Sequence, residues 1–219
     1  MKRPLVLLAL LALPAASLGA QTVDFTPRIG AYVPLKNIVE GTDPFTGLLQ
    51  EQKPETKFTV GGRLGVWFSS ALGIEGVVDY NKGGVQTFLN GNRQSPTLGS
   101  HLFAASLRPM VRLNSPSGNV ALILSAGGGL ADRGGVYVNG ISPPSTQLTG
   151  RTDVAGAAGV GLLVRLTRDV AARIDVDGYT YQAGYFSPGL GSTGEQRQYD
   201  LFITFGLTGP FKNYGIPGE

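Results

Sequence analysis

The sequence contains no cysteine and only one histidine, His101, among its 219 residues. The absence of cysteine excludes a disulfide framework, a thiolate metal site and an N-terminal cysteine that could carry a lipid anchor. No cluster of histidine and aspartate supports a metal centre, and DVDG at residues 175–178 lacks the other ligands of a calcium loop. We therefore expect neither a metal ion nor a cofactor, and a fold stabilised by burial and hydrogen bonding alone.

Charged residues are also scarce, at 15% of the chain, whereas glycine is abundant, with 33 residues. This composition is unusual for a soluble helical enzyme and favours β-structure. The formal charge of +3 includes Lys2 and Arg3, and it falls to +1 without them. The charge balance therefore gives no reason to expect nucleic-acid binding.

Long apolar runs are missing after the N-terminus. Residues 1–20 have the order of an export signal, with basic Lys2 and Arg3, an apolar core over 5–13 and small residues up to Ala20. We predict that residues 1–20 are a signal peptide. Its apolar core is too short to span a bilayer, and no later stretch has the roughly 18 uninterrupted apolar residues that a spanning helix needs.

Most of the remaining chain alternates between apolar and polar residues. In DFTPRIGAYV, for example, Phe25, Ile29 and Val33 fall on one parity, and Asp24 and Arg28 fall on the other. This period of two indicates β-strands with one apolar face. The alternation recurs in eight segments, residues 24–33, 58–68, 72–80, 101–113, 119–131, 154–166, 170–177 and 199–211.

The segment VAGAAGVGLLVRL invites a different interpretation, because Gly156, Gly159 and Gly161 have the spacing G-x-x-G-x-G. A phosphate-binding loop with such glycines needs a strand before it and a helix after it. Here the alternation continues through LLVRL and ends at the turn TRD. We therefore interpret the three glycines as part of a strand and expect no nucleotide site.

The connections between these segments alternate in length. Tight turns, SSA, NSPSG and TRD, follow the second, fourth and sixth segments. Long polar connections follow the others, over residues 34–56, 81–99, 132–151 and 182–197. Such asymmetry is typical of an up-and-down barrel in the outer membrane, with its long loops outside the cell. We predict an all-β fold, an eight-stranded antiparallel up-and-down transmembrane barrel over residues 21–211, followed by a short extension over 212–219.

Alternation alone does not decide which face of the barrel points outward. After residue 20 every lysine lies in a loop or at a strand end, whereas a solvated outer face would carry Lys and Glu freely. The aromatic residues of the apolar face fall near both ends of the strands, as in the aromatic girdles of lipid-facing surfaces. The predicted girdle residues are Phe58, Tyr80, Phe103 and Tyr199 at the outer ends and Phe25, Phe68 and Phe211 at the periplasmic ends.

With these features the chain resembles the small eight-stranded outer-membrane barrels, the class of OmpX, the OmpA membrane domain and the opacity-like proteins. The resemblance covers residues 22–211 and rests on the pattern of strands and loops. The last strand, YDLFITFGLTGPF, is similar to the signal that the barrel-assembly machinery reads, although KNYGIPGE follows it here. The resemblance implies the cell outer membrane as location, contacts with its lipid and lipopolysaccharide, and a surface ligand bound by the loops.

The other face of the strands carries charges of both signs. A barrel of eight strands is just wide enough for its own side chains, and buried charges require partners. We therefore predict that the interior holds a charge network. Asp24, Asp153 and Asp200, near the rims, are expected to meet water instead. The predicted network consists of Arg28, Arg63, Glu75, Asp79, Arg108, Arg112, Arg173, Asp175 and Asp177.

The tight turns also predict which residues pair. Folding about TRD places Gly161 opposite Asp175 and Gly159 opposite Asp177. Folding about NSPSG places Arg108 opposite Ser125 and Arg112 opposite Ala121. Small residues beside the charges would leave room for partners that reach across the interior.

Three functions are compatible with such a barrel. The first is a structural or surface-interaction role through the four long extracellular loops, the second is a narrow channel for small solutes, and the third is a lipid A-modifying enzyme. Inward-facing glycines leave some space for a channel, but Trp67, Phe202 and several arginines would occupy it. His101 lies near the outer rim with Ser100 and Ser106 nearby, yet no carboxylate lies on that stretch, and a single histidine at a rim is more often an interfacial anchor than a catalytic group. We favour the first function and expect no catalytic residue.

Overall fold

The computed structural model describes residues 22–42, 47–94, 98–113, 119–137, 151–167, 170–183, 186–187, 191–192 and 196–209, and all the regular structure in these ranges is β-strand. In this part of the chain, accordingly, no helix could cross a membrane. The predicted signal peptide, the extension over 212–219 and Phe211 lie outside the described residues. The strands are β1 (Thr22–Pro34), β2 (Val39–Thr42), β3 (Leu49–Pro54), β4 (Lys57–Trp67), β5 (Leu72–Leu89), β6 (Asn92–Arg93), β7 (Leu98–Arg112), β8 (Val120–Tyr137), β9 (Arg151–Arg165), β10 (Ala171–Ala183), β11 (Phe186–Ser187), β12 (Gly191–Ser192) and β13 (Gln196–Thr208).

Eight of these strands close into a barrel. Sequential pairing runs from β1 through β4, β5, β7, β8, β9 and β10 to β13, and β13 pairs with β1 to complete the ring. All eight pairings are antiparallel. Each barrel strand therefore has a hydrogen-bonded neighbour on both sides, as hydrocarbon requires of a strand that crosses it. The predicted all-β barrel of eight antiparallel up-and-down strands is confirmed.

The two faces of the wall follow the predicted parity. Along β13 buried and exposed side chains alternate, so that Phe202 and Thr204 point inward while Ile203 and Phe205 point outward. Across the barrel the exposed positions carry large apolar side chains, and the largest fully buried side chains include Arg63, Arg108 and Arg173. The barrel is thus apolar outside and charged inside, the reverse of a soluble protein.

We name the end of the barrel with the long connections the loop end, and the opposite end the turn end. The wall is taller than predicted at the loop end. Strand β5 continues past Tyr80 to Leu89, and β8 continues to Tyr137. Strands β2 and β3 lie within the predicted loop 34–56, and β3 pairs with the upper part of β5. These segments mix polar residues into both faces, so their alternation is weak although their backbones still pair. Parts of the segments predicted as loops are therefore sheet.

One of the two predicted registers is correct. Gly161 lies opposite Asp175 and Gly159 opposite Asp177, as folding about the turn TRD predicts. The register predicted for β7 and β8 is wrong, because Met110, not Arg108, lies opposite Ser125, and Arg112 lies opposite Ile123. The error is two residues, and a shift of two leaves every side chain on its predicted face.

Candidate functional site

Eight charged side chains meet in the middle of the barrel, and we name them the charge network. They come from the inner faces of β1, β4, β5, β7 and β10, and none is more than 2% exposed. Four are arginines and four are carboxylates, so their formal charges balance. In the described part of the chain, no cluster of three or more histidine, aspartate or glutamate side chains is arranged so that it could hold a metal ion. The members are Arg28, Arg63, Glu75, Asp79, Arg108, Arg173, Asp175 and Asp177.

Asp177 is the centre of this network, because three arginines donate to its carboxylate. Arg63 Nη2 lies 3.0 Å from Oδ2, Arg108 Nη1 lies 2.5 Å from Oδ1, and Arg28 also pairs with Oδ2. Arg28 makes a second, bidentate pair with Asp79, in which Nε lies 2.9 Å from Oδ1. A carboxylate on β10 is thus tied to arginines from β1, β4 and β7.

The remaining pairs lie closer to the turn end. Glu75 Oε2 accepts from Arg63 Nη1 at 2.5 Å and from Arg173 Nη2 at 3.2 Å. Arg173 Nε also donates to Asp175 at 2.8 Å, and Arg63 Nη2 lies 3.3 Å from the same carboxylate. Arg63 therefore contacts three carboxylates, and the ion pairs form one connected set that spans the interior.

The glycines of the G-x-x-G-x-G segment provide the space for this set. A Cβ atom on Gly159 would lie 2.3 Å from Asp177 Oδ1 and 2.7 Å from Arg108 Nη1. A Cβ atom on Gly161 would lie 2.3 Å from Asp175 Oδ1. Both glycines therefore lie directly beneath carboxylates, and a side chain at either position would displace an ion pair. Gly156, at the other parity, is exposed on the outer face.

A second polar cluster lies nearer the loop end, and its central residue, Arg133, is not among the residues predicted from the sequence. Arg133 Nη2 donates to Tyr32 Oη at 2.8 Å and lies 3.2 Å from Asp200 Oδ2. Asp200 also accepts from Tyr32 at 2.7 Å and from Tyr181 at 2.6 Å. The expectation that Asp200 meets water is wrong, because its partners bury it to 3% exposure. The parity of Arg133 with Ala131 was the available signal, but residues 132–151 were assigned to a loop.

The turn end holds the ninth predicted residue, Arg112. Its guanidinium lies over the Trp67 ring, 4.1 Å from the centroid, and among the described residues it makes no ion pair. Arg112 therefore stands apart from the network in which it was placed. Trp67 Nε1 donates to Asp24 Oδ2 at 2.7 Å, so Asp24 is buried and paired, contrary to the expectation that it meets water. Asp153 is buried as well.

Apolar layers fill the barrel on both sides of the charge network. On the loop-end side the Phe202 ring packs against Tyr32 and Tyr179, at centroid distances of 5.4 and 5.5 Å. Ile38, from the connection after β1, is fully buried in the same layer. On the turn-end side Trp67, Met110, Ala121, Ile123, Leu163 and Ala171 form the other layer. Since the residues of the network and of both layers are nearly inaccessible to water, the described barrel has a filled interior.

The predicted girdle residues that the structure describes all point outward. Tyr80 and Phe103 lie directly opposite each other on β5 and β7. They were predicted at the ends of their strands, but both strands continue beyond them toward the loop end. These two aromatic side chains therefore lie near the middle of their strands rather than at the rim of the barrel. The six residues are Phe25, Phe58, Phe68, Tyr80, Phe103 and Tyr199, with exposures between 41% and 62%.

His101 lies on the outer face and its two neighbouring serines lie on the inner face. Its ring centroid is 6.1 Å from that of Tyr80, and it packs so closely on Gly134 that a Cβ atom there would overlap the ring. Ser106 Oγ is 3.1 Å from Tyr179 Oη inside the barrel, and Ser100 Oγ donates to the Gly134 carbonyl. Within the described ranges no hydrogen bond links His101 to a serine or a carboxylate. The arrangement of a nucleophile and its base is not formed here.

Comparisons with known proteins show the fold. No protein-family model matches the chain, and neither does any curated protein. Among solved structures, the outer membrane protein OprG from Pseudomonas aeruginosa matches with a TM-score of 0.60 at 13% identity, over 87% of this chain and 98% of that one. Neisserial surface protein A matches with a TM-score of 0.53 at 13% identity, over 88% of this chain and 99% of that one. The chain has the fold of the small eight-stranded outer-membrane barrels, which confirms the resemblance drawn from the sequence.

Proposed function

We propose that the protein is an integral outer-membrane barrel that conducts no solute and acts as a rigid scaffold for a surface-interaction site at its loop end. The outward-facing Leu, Val, Ile and Phe side chains support insertion in lipid, because water would penalise an apolar surface of this extent. The taller wall at the loop end would carry the recognition surface beyond the membrane. The long connections there would contribute to it.

The observation that carries the proposal is the filled interior. A solute that crosses the barrel would have to separate ion pairs around Asp177 and Glu75, and a buried charge that loses its partner costs about 3–5 kcal/mol. It would also have to displace Phe202 and Ile38 from the apolar layer at the loop end. A narrow channel is therefore the weaker alternative.

An enzymatic role is the weakest alternative. A lipid A-modifying enzyme would need a reactive group beside His101 at the outer leaflet, and the serines next to His101 face the interior. The ring contacts with Tyr80 and Gly134 instead fit an interfacial anchor. We propose no catalytic residue for this chain.

Planar-bilayer recording tests the proposed absence of conduction. We expect the refolded protein to give no steady unitary currents, because the charge network and the two apolar layers block the path. A trimeric porin of 16 strands, whose barrel encloses an aqueous channel, serves as the control for incorporation and detection. Reproducible single-channel steps from the refolded barrel, absent from protein-free bilayers, would contradict the proposal.

A further inference from the structure

An open cleft lies at the loop end, where β3 pairs with the upper part of β5. It encloses about 310 Å³ and is lined by Lys53, Pro54, Glu55, Thr56, Lys57, Gln86 and Phe88; we name it the basic cleft. Gln86 lies six residues beyond the girdle residue Tyr80 on the same strand, a rise of about 20 Å along β5. Gln86 and Phe88 therefore lie beyond Tyr80 toward the loop end, and on β4 the lining residue Lys57 directly precedes the girdle residue Phe58.

Glu55 organises the basic side chains of this cleft. Lys57 Nζ lies 2.7 Å from Oε2, Arg93 Nη2 lies 3.7 Å from Oε1, and Gln86 Nε2 also donates to Oε1. The hydrogen bond from Lys57 holds the pKa of Glu55 below its ordinary value, with smaller contributions from Gln86 and Arg93. The carboxylate therefore stays ionised at neutral and mildly acidic pH, and the donors stay gathered around it.

The accessible charge of the basic cleft is positive. The side chains of the two lining lysines, Lys53 and Lys57, are 42% and 43% exposed, whereas those of their partners Glu51 and Glu55 are only 18% and 16% exposed. Lys53 Nζ lies 3.3 Å from Glu51 and 5.1 Å from the Phe88 ring centroid, so a cation also sits beside the aromatic wall. Each of the two lysines carries three N–H donors, more than its contact with a carboxylate uses.

These groups match one class of ligand. Lysine and arginine bind phosphate or carboxylate groups, a carboxamide such as that of Gln86 can bind hydroxyls, and the edge of Phe88 offers an apolar surface to a sugar ring. The volume is at the lower end for small-molecule sites, which suits one or two sugar units. A purely apolar ligand would make no use of the exposed lysine ammonium groups.

We propose that the basic cleft binds an anionic saccharide, a sugar that carries a phosphate or carboxylate group. The proposal rests on the proposed function, since it assigns a ligand class to the surface at the loop end. Two sources offer this chemistry: the core of lipopolysaccharide in the same membrane, and a saccharide presented from outside the cell.

Calorimetric titration of the full chain in phospholipid nanodiscs tests the site, with glucose 1-phosphate as the probe and glucose and inorganic phosphate as comparisons. We expect saturable binding of glucose 1-phosphate that is tighter than that of either comparison compound. The double variant Lys53→Gln/Lys57→Gln should weaken it about tenfold or more, because two charge-assisted contacts are lost. Lys36→Gln, an exposed lysine in the connection after β1, is the matched control and should change the affinity by less than about twofold.

Two results would overturn the site: no saturable binding of glucose 1-phosphate, or equal affinities for the wild-type protein and the double variant. A heat-dependent shift on gels establishes that each variant is folded, so that lost binding is not mistaken for lost structure. Failure of the site is also distinct from failure of the proposed function. If only the site is wrong, the barrel conducts no current and binds no saccharide. If the proposed function is wrong, the barrel conducts current.

A second set of nanodiscs, containing lipopolysaccharide with a phosphorylated core, distinguishes the two sources. If the core occupies the basic cleft, the apparent affinity for free glucose 1-phosphate falls in these nanodiscs, and the double variant abolishes the difference between the two nanodisc types. If the affinity is unchanged, the site receives its saccharide from outside. Either result supports the site, since both require binding in the nanodiscs that lack lipopolysaccharide.

Discussion

Replacement of Asp177 by asparagine should lower the free energy of unfolding by about 3–5 kcal/mol. The variant keeps the shape of the side chain but removes the charge that Arg28, Arg63 and Arg108 share. Those three guanidinium groups remain buried, and each retains weaker compensation from the other carboxylates of the network. Urea unfolding in phospholipid vesicles, followed by Trp67 fluorescence, measures the loss.

Asp132→Asn is the matched control for Asp177→Asn. Asp132 accepts a hydrogen bond of 2.7 Å from Thr152 at a partly exposed position of the wall, so its charge is worth less than about 1 kcal/mol. The double variant Asp177→Asn/Arg108→Gln should lose less stability than the sum of its two single variants, because both changes act on one ion pair. If Asp177→Asn were as mild as the control, the charge network would not stabilise the barrel.

Gly159→Ala should destabilise the barrel by about 1–3 kcal/mol, the range for overpacking of a filled interior. The added methyl group would lie 2.3 Å from Asp177 Oδ1, and the carboxylate cannot move aside without breaking its contacts with arginines. Gly128→Ala is the control, because Gly128 is exposed and a Cβ atom there would meet only the Ala155 carbonyl, at 3.9 Å. The same unfolding experiment should find that the control is within about 0.5 kcal/mol of the wild-type protein. Equal losses in the two alanine variants would show that Gly159 does not make room for the network.

The faces of the strands could be predicted from the sequence because the period of two separates them without any knowledge of pairing. Arg28, Arg63 and Asp177, for example, fall on the inner parity of their own segments, and closure of the barrel then brings them together. The register at TRD was also predictable, because so short a turn leaves few ways to pair β9 with β10. NSPSG is longer and allows alternatives that differ by two residues, so Arg108 and Arg112 were paired with the wrong neighbours.

The cluster around Arg133 could not be predicted in the same way. Arg133 lies where polar residues occupy both faces, and only the pairing of β7 with β8 shows that the strand continues there. Asp200 and Asp24 were expected to meet water because rim positions are usually solvated. Their burial depends on Tyr32, Tyr181 and Trp67, whose hydroxyl and indole groups reach them from other strands. Such contacts between distant segments leave no local pattern in the sequence.

The basic cleft could not be predicted from the sequence either. Lys53 lies in the predicted loop over residues 34–56 and Lys57 directly after it, and Gln86 and Phe88 lie in the predicted loop over residues 81–99. Only the pairing of β3 with β5 places Lys53 opposite Gln86 and Glu51 opposite Phe88. The two segments are each unremarkable alone, so the cleft is a property of the tertiary structure.

The central claim is that lipid surrounds a closed barrel, and spin-label accessibility on β9 tests it most directly. The chain has no cysteine, so Ala158→Cys, Val160→Cys and Leu162→Cys each give a single label on the outer face, with Lys36→Cys as the aqueous control. In bilayers we predict that oxygen, which dissolves in lipid, relaxes the three β9 labels, while a water-soluble nickel chelate relaxes only the label at position 36. Relaxation of the β9 labels by the chelate, to the extent seen at position 36, would contradict the claim.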